Sequence, residues 1–127
     1  MRLFLVGLSE AFARSLARLV SQDSRVALTG VAPSLALARM LLPRTQPDLL
    51  LLDWAALKGD GRDAMQVLRR SRPGLRIVCV ATEAKPYRTA ALETDADAVI
   101  SMDGFADELE QVLRDFFPER FGASGTG

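Results

Sequence analysis

Two uninterrupted apolar runs, LLLLD at 49–53 and IVCVA at 77–81, constrain this chain more than any other feature. Successive side chains of a strand point to opposite faces, so a strand apolar at every position is covered on both. Such strands sit in the middle of a parallel sheet with helices on either side. Three further strand-length apolar segments, at 3–6, 25–29 and 98–100, flank them, giving five in all.

The stretches between them repeat apolar residues at helical spacing. Phe12, Leu16, Leu19 and Val20 mark the first, Leu35, Ala38, Met40 and Leu41 the second, and Ala64, Val67 and Leu68 the third. Ala90, Ala91 and Leu92 mark the fourth, and Leu109, Val112, Leu113 and Phe116 the last. Ser9, Ser34 and Asp103 precede helical patterns and are expected to cap them, while Pro43, Pro73 and Pro118 are expected to mark helix ends. The reading is an α/β chain forming a single doubly wound (βα)5 domain over 1–118, with a flexible Gly- and Ser-containing tail over 119–127. Right-handed crossovers place the ligand crevice beyond the carboxyl ends of the strands, so function is sought there.

Composition removes several function classes. Sixteen Lys and Arg balance sixteen Asp and Glu, leaving no net field to attract nucleic acid or an anionic membrane. Arg69, Arg70, Arg72 and Arg76 form a basic cluster, but cations near a helix end also complement its dipole. No apolar stretch reaches membrane-spanning length, and MRLFLVG turns polar too soon for a signal peptide. The lone Cys79 lies within an apolar strand and reads as a core residue, so a reducing cytoplasm is the expected location. The chain has no histidine, LVGLSEA after the first strand is neither a dinucleotide fingerprint nor a P-loop, and no Cys or carboxylate cluster has metal-ligand spacing.

The residues at the strand ends are Gly7, Leu8 and Ser9, then Asp53 and Trp54, then Thr82 and Glu83, then Ser101, Met102 and Asp103. With PDLLLLD at 47–53, GDG at 59–61, IVCVAT at 77–82 and DADAVISMD at 95–103, the chain resembles the receiver domains of response regulators over nearly its whole length, closest to those of the NarL/LuxR type. That resemblance implies a flavodoxin-like, CheY-like sheet of order 2-1-3-4-5. It also implies that Asp53 holds the phosphoacceptor position and Thr82 the switch position.

The family's remaining machinery is an acidic pair after the first strand, which holds Mg²⁺, and a lysine ending the fifth. Here those positions read Gly7, Leu8 and Met102. Mg²⁺ takes carboxylate oxygens, and phosphoryl transfer needs cations against the equatorial oxygens. No cofactor or metal is therefore expected, and Mg²⁺ binding is expected to be weak or absent. Ser9 and Glu10, the nearest polar residues, fall beyond the ligand position in the first turn of a helix. Lys85 and Arg88 flank the site, but loop charges are usually solvated. Leu57 stands where a proline is frequent, and Val99 where a switching aromatic often sits.

The resemblance also implies an output face formed by the fourth helix, fifth strand and fifth helix, with Tyr87, Val99, Ser101 and Phe105 as candidates. The expected function is an atypical receiver in two-component phosphorelay signalling, not an enzyme. It acts by binding a protein partner such as a sensor kinase or effector, or a second copy through that face, without nucleic acid or membrane. A conventional phosphoacceptor receiver using Asp53 is the first alternative, and a nucleotide-binding or enzymatic doubly wound domain the second.

Overall fold

A computed structural model describes residues 1–57, 61–81 and 96–122. Five strands, β1 (Arg2–Val6), β2 (Ala27–Ala32), β3 (Leu49–Asp53), β4 (Arg76–Ala81) and β5 (Ala98–Ser101), form one parallel sheet of order β2-β1-β3-β4-β5, the order expected. The described helices are α1 (Glu10–Ser21), α2 (Leu35–Thr45), α3 (Gly61–Ser71), α4 (Phe105–Phe116) and α5 (Pro118–Phe121), with a 3-10 turn at Trp54–Leu57. The fourth helical stretch of the sequence, with Ala90, Ala91 and Leu92, lies outside the described residues.

The apolar runs divide by alternation between two cores. Leu50, Leu52, Ile77 and Cys79 pack with Ala38 and Leu42 of α2 and with Met65 and Leu68 of α3. Leu49, Leu51, Val78 and Val80 face the other way, onto Leu16 and Val20 of α1 and Leu109 and Val112 of α4. Covering both faces is what makes these strands apolar at every position. The register places Val6 beside Leu52, Leu52 beside Cys79 and Asp53 beside Val80, so the ends of β1, β3 and β4 step outward by one residue each.

Several local expectations need correction. β2 begins and ends later than 25–29, because Gly30 belongs to the strand: a Cβ there would stand 2.5 Å from Phe4 Cε2, so the glycine admits the Phe4 ring. Pro43 lies inside α2 and does not end it; the helix runs on to Thr45, whose Oγ1 donates to the Leu41 carbonyl at 2.9 Å. The proline forgoes only the one helical bond that its N–H would have made to the Arg39 carbonyl. Ser9 and Ser34 do cap α1 and α2, accepting from Phe12 N at 3.1 Å and Leu37 N at 3.2 Å. Asp103 does not cap α4; Gly104 holds that position without a side-chain bond. Glu108 instead reaches back, accepting from Ser101 N at 3.2 Å and from the Ser101 hydroxyl.

Nor does a tail start at 119. Pro118–Phe121 forms the short α5, and Phe121 is 4% exposed within the α1–α4 core. The Arg25 guanidinium stacks 4.6 Å from its ring centroid. Positions 123–127 lie outside the described residues.

Candidate functional site

The carboxyl edge of the sheet is built around Asp53, the last residue of β3 and half-buried. Its Oδ1 accepts from Ala55 N at 2.7 Å, an Asx turn that starts the 3-10 turn at Trp54–Leu57. Trp54 packs on the α2–α3 core, over the strand end.

Gly7 follows β1 at φ +69°, a left-handed conformation that favours glycine. Its N–H donates to the Ala32 carbonyl at 2.8 Å. A Cβ at Gly7 would stand 3.8 Å from Asp53 Cβ and 3.3 Å from Ala56 Cβ, so bare backbone lies against Asp53. Leu8 turns away and packs on the α1–α4 core. Ser9 Oγ is engaged as the α1 cap, and Glu10 pairs with Arg14 at 2.9 Å along the outer surface of the helix.

Just past β5, Met102 N donates to the Ala81 carbonyl at 2.9 Å, and the residue is 39% exposed. Ser101 is engaged internally: it donates to Glu108, and its Oγ accepts from Gly104 N at 3.1 Å. Thr82, expected at the switch position, lies outside the described residues, as do Lys85, Tyr87 and Arg88.

Of the positions expected to hold the acceptor, the acidic pair and the lysine, the structure brings Gly7 against Asp53, a bare backbone beside one carboxylate. Among the described residues, no three His, Cys, Asp or Glu side chains converge as metal ligands, and no cation pairs with Asp53. Asp53 does act electrostatically on Cys79. Burial first, and the Asp53 charge second, push that thiol up to about 12.

Of the residues expected on the output face, Tyr87 lies outside the described residues. Val99 is only 7% exposed and belongs to the α2–α3 core. Phe105 packs on the opposite core, edge-to-face with Phe12 at 4.9 Å between centroids. Glu108, which fastens the end of β5 to α4, went unnoticed in the sequence. Its separation from Ser101 matches no capping pattern, and only the turn at 102–104 brings the two together.

No protein-family model and no curated protein matches the sequence. Solved structures do match the fold. A chain in the crystal structure of the P1 domain of CheA3 in complex with CheY6 from R. sphaeroides superposes with a TM-score of 0.78 at 19% identity, over 92% of this chain and 96% of that one. A LuxR-family two-component response regulator from Aurantimonas sp. SI85-9A1 gives 0.77 at 21% identity, over 94% and 86%. The RcsB response regulator of Salmonella typhimurium gives 0.76 at 17% identity, over 94% of this chain and 61% of RcsB. This chain thus spans less than two thirds of the RcsB chain, and its fold is the CheY-like receiver fold.

Proposed function

We propose that this chain is an atypical receiver domain in two-component phosphorelay signalling, working in the cytoplasm by protein–protein interaction with Mg²⁺-dependent phosphorylation impaired or absent. The receiver fold and the position of Asp53 at the carboxyl end of β3 support the first part. The observation that carries the second is Gly7, whose backbone lies against Asp53 where a carboxylate would be needed to hold Mg²⁺. Met102 in place of a cation removes a second source of charge against phosphoryl oxygens. A similar structure supports the partner class: CheY6 was crystallised with the P1 domain of CheA3. A kinase domain or a downstream effector is the corresponding partner here.

The test is a titration of the purified protein with Mg²⁺ and then beryllofluoride, read by Trp54 fluorescence and by calorimetry, with Asp53→Ala as control. The expected result is no saturable, Asp53-dependent binding of either. Binding of both that disappears in the control overturns the proposal in favour of a conventional phosphoacceptor.

A further inference from the structure

Helix α2 is apolar on both of its faces, a pattern that in a soluble domain goes with burial on both sides. Leu35, Ala38 and Leu42 face the core. At about 100° per residue, Ala36, Met40 and Pro43 fall in one line on the opposite side. All three are exposed, Met40 by 74%, and Leu37 beside them by 36%. Arg39 and Arg44 flank this line, one on each side. No ion pair or side-chain hydrogen bond engages either arginine among the described residues. α2 is also the one described helix without an acidic residue. An apolar centre with a charged rim is the anatomy of a protein interface, and methionine adapts to whatever packs on it.

We propose that the outer face of α2 docks an amphipathic helix of another protein, one with an apolar stripe bordered by Asp or Glu. The charges decide the occupant. Pairing α2 with itself about a two-fold axis would bring arginines against arginines. The acid-rich α4 of a second copy has the right sign, but that contact is heterologous and builds rings or filaments. A separate acidic helix satisfies both the stripe and its rim. This inference rests on the binding-module reading for its premise. Its test reads α2, whereas the Mg²⁺ and beryllofluoride titration reads Asp53, so either can fail alone.

The probes are two dye-labelled synthetic helices sharing one Leu stripe, bordered by Glu in the first and by Lys in the second, titrated with the whole protein by fluorescence anisotropy. The Glu probe is expected to bind at least about tenfold more tightly than its Lys twin. Arg39→Glu with Arg44→Glu is expected to invert that preference, and Met40→Asp to weaken the Glu probe at least about tenfold. Circular dichroism and urea midpoints confirm that these surface variants remain folded. Three outcomes overturn the proposal: no binding of the Glu probe, equal affinity for both probes, or binding indifferent to Met40→Asp. Sedimentation that reveals a dimer dissolved by Met40→Asp overturns it too, assigning the face to a second copy.

Discussion

At the amino-terminal edge of the sheet, Asp48 and Asp97 are each tied to arginine and to backbone, whereas at the carboxyl-terminal edge Asp53 is tied to a single backbone N–H. Asp97 accepts from Arg69 at 3.0 Å and Ile77 N at 2.7 Å, with Arg76 at 3.6 Å. Asp48 accepts from Arg2 N at 2.8 Å and Arg72 at 3.3 Å, and Arg72 also donates to the Pro47 carbonyl. Arg76 and Arg25 additionally lie over Phe116 and Phe121. Among the described residues, the arginine–aspartate pairs that tie the strand ends lie at the amino-terminal edge, and Asp53 at the other edge has no such partner.

If the amino-terminal edge holds the fold, its removal is costly. Phe121→Ala empties a buried aromatic site and strips Arg25 of its ring, so it is expected to lower stability by about 3 kcal/mol in urea unfolding. A change below about 0.5 kcal/mol would mean that α5 is an appendage and that the domain ends near 118, as the composition alone suggests.

That residue also shows where the sequence is legible and where it is not. β3 and β4 are unmistakable because burial on both faces leaves no polar position to confuse the pattern. β2 is an edge strand with mostly half-buried or exposed residues, and its Gly30 looks like a turn signal until the Phe4 ring is seen against it. Phe121 reads as tail because one aromatic between Pro118 and a Gly-rich end has no period; only the fold brings Arg25 to it. At the site, Gly7 and Met102 are legible because a missing oxygen or cation is a matter of residue type. The engagement of Glu108 with Ser101 is not, because it depends on how a turn folds back.

Asp97→Ala is the next largest effect. It leaves Ile77 N–H without its side-chain acceptor and Arg69 and Arg76 without their counter-ion. Partial exposure of both arginines moderates the penalty to about 2 kcal/mol. Asp97→Asn keeps an acceptor for the amide and is expected to recover part of that loss, a difference readable as a shift in urea midpoint without a change in slope.

The smallest expected effect cuts deepest into the comparison. In a crevice where several carboxylates crowd together to await Mg²⁺, neutralising one relieves like-charge repulsion, and the protein gains stability until the metal is added. Here Gly7 and Leu8 bring no carboxylate to Asp53, and an asparagine at 53 retains an oxygen for Ala55 N. Asp53→Asn is therefore expected to shift stability by less than about 0.5 kcal/mol, equally with and without Mg²⁺. A gain above about 1 kcal/mol that Mg²⁺ abolishes would expose an acidic neighbour acting on Asp53 and erase the contrast between the two edges. Asp53 would then sit in a charged, metal-ready crevice, and the partner-binding account would give way to a phosphorylation switch.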